Sequence, residues 1–163
     1  MDTFSHALWG KALFGKKGTN LIALLFGACP DIIAFGPWIV LRLFNGTFFD
    51  REFGGPPPLE TIPDWVFIMY DFSHSFTAGF LLVFILYFFR KDYLWFVALA
   101  WPFHTVVDSI SHTKDFFPTK IFWPFSDYCI DGFSWSRPEV WFTNIILLAL
   151  VLFYKRRKNI KQK

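Results

Sequence analysis

The sequence predicts an all-α fold: a polytopic membrane helical bundle with about four transmembrane helices and a short re-entrant or interfacial helix at the amino terminus. Three observations carry that prediction. The 163 residues are 54% hydrophobic and include 24 phenylalanines, far more apolar than an ordinary soluble domain. The apolar residues gather into four runs, roughly 20–44, 64–89, 93–112 and 139–154, of lengths near what a helix needs to cross a bilayer core. Positive charge clusters at Lys16-Lys17, at Arg90-Lys91 and along 155–163, which all fall on one side if each run crosses once.

The elements follow in order. Phe4, Leu8 and Trp9 give the first fifteen residues an apolar side, and Gly10, Gly15 and Gly18 let the chain turn back, which predicts the short first helix. The segment lacks the basic-then-oily order of a cleaved signal peptide. After the first run, residues 45–63 carry Gly54-Gly55-Pro56-Pro57-Pro58 and read as an extended loop. The second run ends at the tight Arg90-Lys91 turn. The third run holds two histidines and an aspartate and is the least oily. The outer loop from Thr113 to Pro138 contains Phe116-Phe117-Pro118 and Ile121-Phe122-Trp123-Pro124-Phe125, too apolar for a free loop and too proline-rich for a continuous helix. It is expected to fold back over the outer mouth of the bundle or to dip into the outer leaflet. The fourth run is short and takes Trp135 and Trp141 as interfacial anchors; the other tryptophans read as belt and packing residues.

Residues 1–154 therefore form a single membrane-embedded domain and 155–163 a basic tail. The tail alone holds six Lys and Arg, so the formal charge of +3 conceals −3 for the remainder. A cluster directly after an apolar helix is read as a topology anchor on anionic lipid, with no nucleic-acid partner expected. Amino terminus, short turn and tail should be cytoplasmic, with Arg42 and Arg51 on the other side. Cys29 and Cys129 make no disulfide framework and no C-x-x-C motif.

Ionisable groups at bilayer depth are costly and are kept there when paired, metal-bound or used in transport. Asp31 lies in the first run, Asp71 and His74 in the second, and His104, Asp108 and His112 in the third; His6 precedes them all. At about 1.5 Å rise per residue, Asp31, His74 and His104 each lie roughly 15–16 Å in from an end of their runs. Three helices thus bring these groups to nearly one depth. His104, Asp108 and His112 at i, i+4 and i+8 line one helix face, and Asp71 and His74 stand at i and i+3. Imidazole with carboxylate suits zinc or a similar divalent ion. The alternative is a set of bundle histidines satisfied by neighbouring serines or carbonyls. His112, nearest the outer loop, reads as an interfacial residue or an additional ligand.

The order Asp2-Thr-Phe-Ser-His6, Cys29-Pro-Asp31-Ile32, Ser73-His74-Ser75, His104-Thr-Val-Val-Asp108 and Trp123-Pro124-Phe125-Ser126 resembles the bacterial membrane-bound metal-dependent hydrolases of the YdjM type, also labelled LexA-binding. The resemblance covers residues 1 to about 126. It implies His6, Asp31, His74, His104 and Asp108 as the metal-binding set, and the ligand order also looks like that of zinc-dependent phospholipase C. Met69-Tyr70-Asp71 stands where many members carry a His-Arg pair, and nothing here matches the second H-x-x-x-E helix of the soluble phospholipases.

The implied activity is a zinc-type phosphoesterase or phosphodiesterase of the bacterial cytoplasmic membrane. One or two divalent ions, bridged by Asp108, would activate a water and clamp the oxygens of an in-line displacement at phosphorus. Asp71 is the candidate to orient His74 or to act as general base. A site at bilayer depth under an aromatic loop points to a lipid or lipid-linked phosphate, with Phe122, Trp123 and Ser126 guiding the head group. A metal-ion or proton transporter is the competing class, and a regulatory protein with a structural metal site is a third.

Overall fold

The structure, a computed structural model, describes residues 1–49, 57–90 and 92–161; Arg51, Gly54-Gly55-Pro56, Lys91 and Lys163 lie outside the described residues. Among those described, every regular element is helical: α1 (Thr3–Phe14), α2 (Asn20–Phe44), a 3-10 turn (Leu59–Thr61), α3 (Asp64–Ser73), α4 (Phe76–Phe89), α5 (Leu94–Ala98), α6 (Ala100–Ser111) and α7 (Pro138–Lys161). The all-α class stands, but the number of spans is lower than the sequence predicts. Two helices, α2 and α7, are long and apolar enough to cross a membrane, and a third crossing arises only if α3 and α4 count as one span.

The discrepancy has local causes. The second apolar run breaks after Ser73, where Ser75 caps α4 by accepting from the Ala78 N–H at 3.1 Å, and the two halves meet at a 50° bend. The Phe76 N–H exposed by the break donates to the Ile121 carbonyl of the outer loop at 2.9 Å. In the third run, Pro102 has no N–H for the Ala98 carbonyl, and the helix is interrupted at Leu99. That run thus consists of helices of 5 and 12 residues.

α1 is set by its ends. Asp2 caps it, one carboxylate oxygen accepting from the Ser5 N–H at 2.8 Å and the other from the Ser5 hydroxyl at 2.7 Å. At its far end the Lys155 ammonium donates to the carbonyls of Lys11, Ala12 and Gly15, satisfying groups a helix terminus leaves unpaired. Asn144 holds the same helix to α7, accepting from the Trp9 indole N–H at 2.7 Å and donating to the Ser5 hydroxyl at 2.9 Å.

The interior is built from small residues and polar ones. Ala23, Ala34 and Ala98 are fully buried, which permits close helix approach, while Phe84, Phe88, Ile110 and Leu150 point outward. Buried imidazoles beside exposed phenylalanines reverse the usual soluble arrangement and are what an apolar solvent selects. Ala34, Ile62, Val66, Tyr70 and Phe117 form a hydrophobic cluster, with Phe35, Phe67 and Phe116 packed against it.

Candidate metal centre

Four elements bring the ionisable groups of the sequence to one point. α2 contributes Asp31, the α3–α4 corner His74, α6 His104 and Asp108, and one ligand atom from each of the four lies within 4.8 Å of all the others. α1 adds His6, whose Nε2 is 2.8 Å from Asp108 Oδ1. His112, the residue that ends α6, adds a sixth group, with Nε2 3.5 Å from Asp108 Oδ1. All six are between 0% and 9% exposed. The amino-terminal segment therefore dips into the bundle, and His6 meets Asp108 although it precedes the first long helix. The Met1 amino nitrogen contacts Asp108 Oδ1 and lies 3.0 Å from His112 Nε2.

The hydrogen bonds decide which ring nitrogens are bare. His74 Nδ1 lies 3.1 Å from the Tyr70 carbonyl, His104 Nδ1 2.7 Å from the Gly27 carbonyl and His112 Nδ1 3.0 Å from the Phe117 carbonyl. A carbonyl only accepts, so each Nδ1 carries the proton and donates. In the neutral rings every Nε2 is then a lone pair: those of His74 and His104 are turned toward Asp31 and Asp108, and that of His112 toward Asp108 and the Met1 amino nitrogen. A lone pair facing a carboxylate in a dry interior is repulsive unless a positive charge stands between them. Two imidazolium ions packed together would repel one another, whereas a divalent cation satisfies the His74 and His104 lone pairs at once. The pattern of a backbone carbonyl behind each ring is the usual way in which a ligating histidine is oriented.

Two further observations fit a cation. Asp31 Oδ2 is buried and has no hydrogen-bond partner among the described residues, a costly state for a carboxylate oxygen that a metal would relieve. His104 Nε2 lies 3.1 Å from Asp108 Oδ2 and 3.7 Å from Asp31 Oδ1, and His74 Nε2 lies 3.4 and 3.2 Å from the same two atoms. Zinc bonds of about 2.0–2.1 Å in a tetrahedron place neighbouring ligand atoms roughly 3.3 Å apart. The four His–Asp separations are near that edge, and all four ligand atoms lie within 4.8 Å of one another. The residues thus fit a divalent ion held by Asp31, His74, His104 and Asp108; the identity of the metal does not follow from the ligands.

The structure corrects the role expected of Asp71. Its carboxylate accepts from the Lys120 ammonium at 2.8 Å, and Lys120 also lies 3.3 Å from Asp127. His74 takes its orientation from the Tyr70 carbonyl instead. Tyr70 and Asp71 flank His74 on opposite sides of the helix, Tyr70 about 40° round one way and Asp71 about 60° the other, where Lys120 meets it. Among the described interactions Asp71 has no contact with His74 or with the other cluster residues. Asp71, and to a smaller degree Asp127, holds the Lys120 ammonium above its usual range. A raised folded-state value gives stability that is complete below the unfolded value of about 10.4 and is lost only as pH rises through the folded one, so the clasp persists across neutral pH. Asp71→Asn should accordingly leave zinc content unchanged and raise proteolysis at the outer loop; loss of zinc in this variant would return Asp71 to the centre.

The outer loop folds back on the bundle, but with different residues inward than expected. Phe117, 4% exposed, sits over the cluster and supplies the carbonyl that holds His112. Phe122 and Trp123 pack instead on the outside of the α3–α4 corner, against Phe76 and Phe72 at ring separations of 6.2 Å. Ser126 is exposed, and its hydroxyl accepts from the Tyr128 N–H at 3.1 Å. None of these three has a contact with the six cluster residues among the described interactions.

Sequence reasoning missed Tyr70 and Gly27. Tyr70 stacks on His74 with ring centroids 3.8 Å apart, and its position four before that histidine was the available signal. Gly27 accepts from His104, and a Cβ placed there would come 2.5 Å from the His6 carbonyl oxygen. Its place four residues before Asp31 marks the same face of α2. The chain matches no family model, no curated protein and no solved structure.

Proposed function

We propose that the chain is an integral-membrane, metal-dependent phosphoric ester hydrolase acting on a lipid or lipid-linked phosphate. The observation that carries the reading is the set of Nε2 lone pairs turned on Asp31 and Asp108, with Asp31 Oδ2 left without a partner among the described residues. The two oxygens of Asp108 face different residues: Oδ2 faces His74 and His104, and Oδ1 faces His6 and His112. Asp31, His74, His104 and Asp108 Oδ2 would hold one ion; His6, His112 and Asp108 Oδ1 would hold a second in the place that the Met1 amino nitrogen takes, against Asp108 Oδ1 and 3.0 Å from His112 Nε2. Zinc is the metal we assign, on the imidazole and carboxylate chemistry and the ligand spacing.

Bound there, divalent ions supply Lewis-acid polarisation of phosphoryl oxygens and acidification of water. The residues' own part is to hold position and exclude bulk solvent. Among the described residues Asp31 and Asp108 supply the negative charge at the centre, so a loaded two-ion centre retains net positive charge and selects an anionic substrate. The exposed apolar flanks and the aromatic residues Phe122 and Trp123 at the outer corner favour a substrate that arrives from the lipid.

The basic residues support an orientation. Lys16 lies over the Tyr93 ring at 3.7 Å, joining the first cluster to the short turn, and Lys155 reaches the end of α1. The three clusters therefore share one end of the bundle, which we assign to the cytoplasmic face of a bacterial inner membrane, with the tail on anionic lipid. A second reading, a structural metal site in a regulatory protein, draws on the near-complete burial of all six groups.

The test is direct. Protein purified in detergent and loaded with zinc should release phosphate or a phosphorylated head group from phospholipid or polyprenyl phosphate micelles, and chelation should abolish the release. Bound zinc with no hydrolysis across such substrates would favour the structural reading.

A further inference from the structure

We infer that Tyr70 is a positioning residue serving both sides of Asp108, orienting His74 through its ring and carbonyl and His112 through its hydroxyl, with Thr119 fixing that hydroxyl; the inference rests on the two-ion reading above. Tyr70 lies one helical turn before His74 and is 1% exposed. Its ring stacks on the His74 imidazole at 20° between planes, and its carbonyl takes the His74 Nδ1 proton. Both contacts leave His74 Nε2 pointing at Asp31 and Asp108.

The hydroxyl works on the other histidine. Tyr70 Oη is 3.2 Å from His112 Nδ1 and 2.9 Å from Thr119 Oγ1. The His112 Nδ1 proton is already directed at the Phe117 carbonyl, so Oη receives a second share of it and its own O–H turns to Thr119. That arrangement locks His112 in the tautomer whose Nε2 faces Asp108. Thr119, 1% exposed, comes from the outer loop, so the loop reaches the centre through Phe117 and Thr119 together. A tyrosine that merely filled the core would need one partner for its hydroxyl. Here the hydroxyl joins a loop threonine to an imidazole that faces the carboxylate shared by both ligand sets.

The two functions of the side chain can be separated. Tyr70→Phe keeps the ring and the backbone carbonyl and removes only the hydroxyl, while Thr119→Val breaks the same link from the loop side without touching α3. Zinc titrated into metal-stripped wild type in detergent should show two ions per chain. Tyr70→Phe and Thr119→Val should each weaken one of them by about 10–100-fold, the range for losing a partner behind a ligating histidine, and leave the other unchanged. Thr119→Ser should restore wild-type binding. Unchanged binding of both ions in Tyr70→Phe and Thr119→Val would overturn the inference while leaving the metal centre intact. Equal weakening of both ions in Tyr70→Phe, with Thr119→Val like wild type, would also overturn it, as the signature of a damaged core. Wild type that binds a single ion removes the second ligand set and this inference with it, and wild type that binds none removes the metal reading itself. Should Tyr70→Phe fail to fold, the Thr119 pair decides.

Discussion

Asp108→Asn is expected to strip both ions from the centre and to lower hydrolysis by more than about 100-fold, beyond the cost of losing a partner behind a ligand. Asp108 faces His74 and His104 through one oxygen and His6 and His112 through the other, so it is the one residue common to both ligand sets. Asparagine keeps the shape and removes the charge and one acceptor. His112→Ala should remove one ion and keep the other, because Asp31, His74, His104 and Asp108 remain. Zinc per chain, measured on both variants after confirming that each still inserts, separates the two patterns. Equal losses would deny Asp108 its shared position.

The second large effect belongs to a residue with no side chain. Gly27→Ala places a methyl 2.5 Å from the His6 carbonyl oxygen and 3.2 Å from the Ala7 Cα, and both obstacles are backbone. Relief requires α1 to lift away from α2. Overpacking of this kind costs about 1–3 kcal/mol, and the displacement carries His6 off Asp108. The expected result is a lower Tm and loss of one ion, with the Asp31, His74, His104 and Asp108 set still occupied. Gly36→Ala is the matched control, since its Cβ would meet only the Ile32 side chain at 3.6 Å. A Gly27→Ala protein with wild-type Tm and zinc content would show that α1 is not held by this contact.

Much of the site was legible because it depends on local periodicity and depth. The spacing of His104 and Asp108 placed them on one face of α6, and the first run, residues 20–44, coincides with α2. Asp31, His74 and His104 were placed at one depth from helix rise alone, and the structure brings them together. What the sequence concealed was where helices stop. The second run has its polar stretch, Ser73-His74-Ser75, at the break itself, but those residues read as the buried stripe of one helix; the break depends on Ser75 capping and on the outer loop's Ile121 carbonyl. Asp71 became a candidate to orient the His74 ring through its i, i+3 spacing, one turn before it. Its true partner, Lys120, is 49 residues away and belongs to a loop. A re-entrant first helix was expected, but what holds it was hidden: the close approach at Gly27 and Gly10 and the bond from Asn144 of the last helix.

The central claim is that Asp31, His74, His104 and Asp108 surround a divalent ion. X-ray diffraction from crystals of zinc-loaded protein, collected on both sides of the zinc absorption edge, tests it most directly. The account predicts an anomalous peak between His74 Nε2, His104 Nε2, Asp31 Oδ1 and Asp108 Oδ2, present above the edge and absent below it. An intact cluster with no anomalous peak among these atoms would contradict it.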